Sequence, residues 1–314
     1  MPIPRITVAV ITYNRSRFLR ETLAGLVKQD YPAALWELLV IDNNSTDDTA
    51  EVVASFMSAA PFPRRIVETS QGLDHGRNRA ITEAKGEIIV LADDDILMAP
   101  DWLSKLVAPF ASEKAHTIGV VGGEVVPVFP DGLPKWMEGA HRPLSFRRDA
   151  GILPPEQSPM GANFAFPKWV FAKLGMFRTE LDRSGTSLFG GGDTEMIRRV
   201  RATGLEVWFV PEAKVFHQMP ASRLTMDYAM RHAFDSARSR VVDEAGIIAV
   251  AGRSAAPFYL SRAVASVLKL VGYVLLATGY AILLQPGRAR RTMVRAWRCC
   301  GYLYQISRSS VGKV

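Results

Sequence analysis

Ile88-Ile89-Val90-Leu91-Ala92-Asp93-Asp94-Asp95 joins five consecutive apolar residues to three carboxylates. A short apolar run with β-branched residues is the pattern of a strand buried on both faces. Adjacent carboxylates repel one another and raise each other's pKa, so a strand end tolerates three of them best when a cation offsets the charge. Hard oxygen ligands suit Mg²⁺ or Mn²⁺, ions that commonly share their shell with substrate phosphates. Taken alone, the triplet also reads as a solvated turn with helix-capping aspartates ahead of Pro100.

The flanking sequence narrows this choice. Residues 6–12 and 36–42 are two further apolar runs, and 65–68 is a shorter one. Between them, Phe18, Leu19, Leu23, Leu26 and Val27 fall at helical spacing over 17–29. Helices are also expected over 46–57, over 74–85 with Gly86 as the stop, and over 101–110, before a strand at 117–126. Strand and helix alternate, and the strands are apolar throughout. That pattern predicts an α/β fold, a mixed and mostly parallel sheet with helices on both faces. Ligands then bind beyond the carboxyl ends of the strands.

Three strand ends carry polar clusters: Thr12-Tyr13-Asn14, residues 42–48, and the aspartates at 93–95. A parallel sheet would bring all three to one edge. Ser45, Thr46 and Asp47 suit the N-cap of a following helix. Asp42, on the last strand position, is not needed for capping and can accept the N–H of a pyrimidine base. Further along, Gly190-Gly191-Gly192-Asp193-Thr194-Glu195 permits a tight loop and places carboxylates at a helix start. They either compensate the helix dipole or include a general base for an acceptor hydroxyl. His217, beyond a strand and Pro211, is either structural or a ligand.

Between 127 and 160 seven prolines break regular structure, and a loop of that length in a compact domain is usually functional. Pattern returns as a strand at 163–166, helices over 167–174 and 193–203, and a strand at 206–210; from Ser222 onward only helices are expected.

These elements resemble the inverting family 2 glycosyltransferases with the GT-A (Rossmann-like) fold, over residue 6 to about residue 240. The resemblance rests on Thr12-Tyr13-Asn14-Arg15, the run Val40 to Asp47, Gly72-Leu73-Asp74-His75-Gly76-Arg77-Asn78, the Asp triplet, Asn163-Phe164-Ala165-Phe166, Gly191-Gly192-Asp193-Thr194-Glu195 and His217. It implies a nucleotide-sugar donor, UDP- or GDP-linked, with Asp42 reading the base and Thr12 and Tyr13 lining its pocket. Arg77 would be the basic residue of the nucleotide pocket. Asp93, near the ribose, and Asp95 would be the two ends of the Asp-X-Asp motif, with Asp94 between them also expected to bind the donor. Asp95, Asp93 and His217 would hold the divalent cation, Mn²⁺ or Mg²⁺, and Asp193 would be the catalytic base. The family usually has Gly-Glu-Asp where this chain has Gly191-Gly192-Asp193, which puts in question the acceptor contacts that Glu makes.

Two other functions fit parts of the pattern. A sugar-phosphate nucleotidyltransferase would want a glycine-rich loop after the first strand, where this chain has Thr12-Tyr13-Asn14-Arg15-Ser16-Arg17. A non-catalytic nucleotide-sugar-binding or scaffold protein would not need Asp193 together with the triplet.

The 314 residues are 48% hydrophobic and 22% charged, enough for a sizeable core and unlike a disordered chain. Two domains are expected: 1–220, catalytic, with a nucleotide-sugar half (1–126) and an acceptor half (127–220), and 221–314, helical and basic. The net charge is +7, and no acidic residue follows Glu244 while ten lysines and arginines do. Beside apolar sequence such a tail points to an anionic membrane surface; no nucleic-acid motif is present. Residues 263–285 are long enough to cross a bilayer. A single crossing would put Arg288, Arg290, Arg291, Arg295 and Arg298 outside, against the positive-inside preference. An interfacial or re-entrant helix pair on the cytoplasmic face is therefore expected. The start of the chain shows no leader pattern, and Cys299 and Cys300 read as reduced, structural thiols. The acceptor expected from the resemblance is a glycan or lipid-linked glycan of bacterial cell-surface assembly.

Overall fold

The computed structural model describes residues 3–59, 61–138, 146, 149–181 and 188–310. The chain begins β1 (Ile6–Thr12), α1 (Ser16–Leu26), β2 (Trp36–Asp42), α2 (Thr49–Ala54), β3 (Pro63–Val67), α3 (Leu73–Glu83) and β4 (Ile88–Asp93). There follow β5 (Ile96–Met98), α4 (Trp102–Val107), β6 (Ile118–Val128), β7 (Gly151–Ile152), β8 (Asn163–Pro167), α5 (Lys168–Leu174), α6 (Gly192–Ala202) and β9 (Glu206–Gln218). Three long helices close the described chain: α7 (Met226–Val250), α8 (Ala256–Ile282) and α9 (Pro286–Ser310).

The strands form one mixed sheet ordered β3-β2-β1-β4-β8-β6-β9-β5, with β7 beside β9. The segment β3-β2-β1-β4 is parallel. β8 enters antiparallel between β4 and β6, and β6 runs parallel to β9. Each strand of the parallel segment buries both faces. Val8 and Val10 face Leu19, Leu23, Val52 and Trp102 on one side. Ala9 and Ile11 face Ala80, Ile81, Val170 and Met196 on the other. That two-sided demand explains the continuous apolar runs.

Two elements depart from the sequence reading. β9 continues past 210 to Gln218, because the irregularity opposite Gly123/Val125 accommodates Pro211 without a ladder bond. β5, three residues long, was not anticipated at all.

By compactness the chain divides into two units. One comprises 1–128, 142–180 and 192–218; the other comprises 129–141, 181–191 and 219–314. The sheet lies in the first. In the second, α9 packs along α7 and α8, and Thr225 caps α7 by accepting the Tyr228 amide at 3.1 Å. The helical unit is thus discontinuous in sequence, since it takes in two segments from before residue 192.

Candidate active site

Strand register brings the polar clusters level. Thr12 is opposite Asp42 across β1 and β2, and Ile11 is opposite Asp93 across β1 and β4. The carboxyl ends of three parallel strands therefore share one edge, as the apolar runs implied.

After Asp93 the chain turns through Asp94 and Asp95 into β5. There Ile96 pairs antiparallel with His217, and the Gln218 amide donates to the Asp95 carbonyl at 2.8 Å. This pairing sets His217 Nε2 3.0 Å from Asp95 Oδ1 and 3.8 Å from Asp93 Oδ2. One ligand atom from each of Asp93, Asp95 and His217 lies within 4.8 Å of the others. Asp95 is fully buried and Asp93 partly open. Two carboxylates and an imidazole, hinged on one solvent-facing ligand, form a donor set that fits Mn²⁺ or Mg²⁺.

Asp94 faces elsewhere. Thr12 Oγ1 donates to it at 2.7 Å and Arg15 Nη1 at 2.6 Å, while Arg15 Nη2 reaches Asp95 Oδ2 at 2.5 Å. Burial pushes the Asp94 carboxyl up to about 7, against the opposing pull of Arg15. Thr22 Oγ1 sits 2.9 Å from the carbonyls of both Asp94 and Ile96 and fixes the turn. Asp94 thus anchors the turn, and Arg15, to which the sequence reading gave no role, does half of that anchoring.

At the neighbouring strand end Asp42 is fully buried. Its Oδ1 accepts the Ser45 amide at 2.8 Å, and its Oδ2 accepts Arg65 Nε at 2.8 Å and Nη2 at 2.5 Å. Arg65, on β3, has no signature in sequence; only the β2–β3 register reveals it. Tyr13 is 42% exposed on the same edge. Asn14 and Asn44 both have positive φ, 52° and 68°, a conformation asparagine tolerates better than most residues. Asn14 Oδ1 accepts the Thr46 amide at 2.7 Å, and Asp47 Oδ2 accepts the Ser16 amide at 2.9 Å. The polar residues after Asp42 therefore tie two strand-end loops together; Asp48 at the N-cap of α2 makes no capping bond, while Asp47 Oδ1 accepts the Thr49 amide at 3.2 Å.

Arg77 and Asp193 occupy a third part of the edge. Arg77, on α3, donates from Nη1 to Asp74 Oδ1 at 2.8 Å, with both side chains buried. Its guanidinium carbon lies 5.5 and 5.2 Å from the ring centres of Phe164 and Phe177. Burial pulls its pKa down, but the charges of Asp74, Asp193 and Asp93 raise it overall, so the cation persists. Asp193 is in the first turn of α6, where its Oδ1 accepts the Thr194 amide at 3.0 Å. Glu195 is ion-paired to Arg199 at 2.9 Å and supports the helix.

Residues 7–175, more than half the chain, match glycosyl transferase family 2. The glucosyl-dolichyl phosphate glucuronosyltransferase of Haloferax volcanii is 24% identical over 250 residues, which are 76% of this chain and 77% of that protein. The succinoglycan biosynthesis protein ExoM of Rhizobium meliloti is 25% identical over 241 residues, 74% of this chain and 73% of its own. The mannosyltransferase PcManGT from Pyrobaculum calidifontis, solved with GDP-Man and Mn²⁺, matches with a TM-score of 0.62 at 21% identity, over 97% of this chain and 88% of that one. The shared architecture is the GT-A fold.

Proposed function

Because this chain belongs to glycosyl transferase family 2, its activity is glycosyl transfer, and we propose that it transfers with a divalent cation and with inversion at the anomeric carbon. The observation that carries this reading is the convergence of Asp93, Asp95 and His217 on the strand edge that also bears Asp42. Those three residues would hold Mn²⁺ or Mg²⁺. When bound, such a cation supplies positive charge against the diphosphate that departs.

The chain's own groups account for the remaining work. Asp42, with Arg65 on its Oδ2, offers an acceptor flanked by a donor, the complement of the N–H and C=O edge of uracil or guanine. Thr12 and Tyr13 flank that position. Asp193 takes the proton of the acceptor hydroxyl, whose oxygen bonds to the anomeric carbon as the bond to the diphosphate oxygen breaks and its electron pair leaves with the diphosphate. One displacement inverts the carbon, and the proton ends on the Asp193 carboxylate.

The acceptor side of the proposal is a glycan or lipid-linked glycan at the cytoplasmic membrane face. One relative's name specifies a dolichyl phosphate lipid, another a polysaccharide. Among the described residues, α8 is long and apolar enough to cross a membrane, with little of it buried. Leu260, Val264, Val267, Leu268, Val271 and Leu275 are exposed and recur at the spacing of one helix face. Small residues on the opposite side, Ser266 and Ala277, are buried. An apolar stripe beside the basic α9 suits an interfacial helix on anionic lipid.

A panel of UDP- and GDP-sugars with Mn²⁺ identifies the donor by nucleoside diphosphate release, and NMR of the product reports its anomeric configuration. A product that keeps the donor's configuration would contradict the single displacement.

A further inference from the structure

We propose that Asp74 and Arg77 form a clamp that positions Asp193 for the transfer step, and that glycine at 192 and 161 is what lets the clamp close. This rests on the reading of Asp193 as the base.

Arg77 and Asp74 have side chains only 6% and 3% exposed. Placing an ion pair in such surroundings is expensive unless further groups hold it, and here they do. Phe164 and Phe177 both lie within cation–π range of the guanidinium. Phe177 is itself fixed by Asn78, which accepts its amide and donates to its carbonyl, both at 2.9 Å. One turn of α3 therefore supplies the carboxylate (Asp74), the cation (Arg77) and the residue that keeps a ring on the cation (Asn78).

The clamp reaches the base at two points. A methyl group placed on Gly161 would stand 2.6 Å from Arg77 Nη2 and 2.8 Å from Asp193 Oδ2. The free face of the guanidinium and the carboxylate of Asp193 thus approach one another across the bare Cα of Gly161. A methyl placed on Gly192 would collide with the Asp74 carboxylate, all three of whose heavy atoms come within contact of it. The Asp74 carboxylate accordingly rests on the residue directly before Asp193. The charge of Arg77 acts on the Asp193 carboxylate across that gap, and Asp74 packs on the backbone just before it.

This explains the departure from Gly-Glu-Asp in physical terms. With Asp74 where it is, no side chain can start at position 192, so the carboxylate next to the base comes from α3 instead of α6. Nη1 of Arg77 is committed to Asp74, and its Nη2 stands beside Gly161 on the side toward Asp193.

The test measures steady-state transfer by Arg77→Lys, Gly161→Ala and Asp193→Ala, with Mn²⁺-dependent binding of UDP and GDP on the same preparations. Rates are normalised to folded protein from melting profiles. A misplaced reacting group costs about 10²-fold, so Arg77→Lys and Gly161→Ala should each lower kcat by about 10²-fold, with donor KM and nucleotide affinity matching the wild type. Gly161→Ala leaves every charge in place, so it decides the matter if Arg77→Lys does not fold. Wild-type kcat in folded Gly161→Ala, or nucleotide affinity lost in Arg77→Lys, would overturn the clamp. Transfer surviving in Asp193→Ala would instead remove the base assignment itself, which keeps the two failures apart.

Discussion

His217 Nε2 lies 3.0 Å from Asp95 Oδ1, although the two residues sit in opposite halves of the sequence. The short strand β5 makes that meeting possible: Ile96, next to Asp95, pairs directly with His217. The three residues after the triplet thus bring an imidazole beside the acidic turn.

Loss of the imidazole should weaken the site without emptying it, since both carboxylates remain. His217→Ala is expected to raise the Mn²⁺ concentration for half-maximal activity by at least ~10-fold, read by titrating Mn²⁺ into chelator-treated protein. An unchanged requirement would take His217 out of the ligand set.

Arg15 is ion-paired to both Asp94 and Asp95 and offsets part of their charge. Removing one partner of a buried pair costs ~3–5 kcal/mol, and Arg15 is partly exposed, so ~3 kcal/mol is the upper expectation for Arg15→Ala. Urea denaturation without divalent cation measures it. Added Mn²⁺ should restore more stability to Arg15→Ala than to the wild type.

Arg65 holds one oxygen of Asp42. A hydrogen bond to a charged group contributes ~1.5–3 kcal/mol, so Arg65→Ala should raise donor KM by about 10-fold or more while kcat stays near the wild type. A fall in kcat with unchanged KM would place Arg65 outside the base pocket.

The exposed stripe of α8 includes Leu268 and Leu275, each 69% exposed. Leu268→Glu with Leu275→Glu should abolish flotation with anionic vesicles yet leave transfer to a water-soluble acceptor intact. Flotation equal to that of the wild type would exclude this face from the membrane contact.

Much of this was legible in the sequence, for local reasons. β1, β2 and β4 are apolar runs whose ends carry polar residues, and a parallel register follows from strand–helix alternation. What escaped is long-range. β5 is too short to show periodicity, and Pro211 masks the continuation of β9 toward His217, so only the family resemblance, and no local pattern, grouped the histidine with the triplet. Arg15 and Arg65 are single charges whose partners are chosen by strand pairing. The contact between Asp74 and Gly192 joins two helix starts and leaves no trace in spacing. The proline-rich loop at 127–160 falls in part outside the described residues, as does Lys313 of the basic tail.

The proposed cation site at the strand edge is tested most directly by the rate of sugar transfer as Mn²⁺ is returned to chelator-treated wild type and Asp95→Ala. The wild type should be inactive in chelator and recover with Mn²⁺, while folded Asp95→Ala should stay inactive at every Mn²⁺ concentration. Full transfer by the wild type in chelator, or recovery of Asp95→Ala to the wild-type rate, would contradict it.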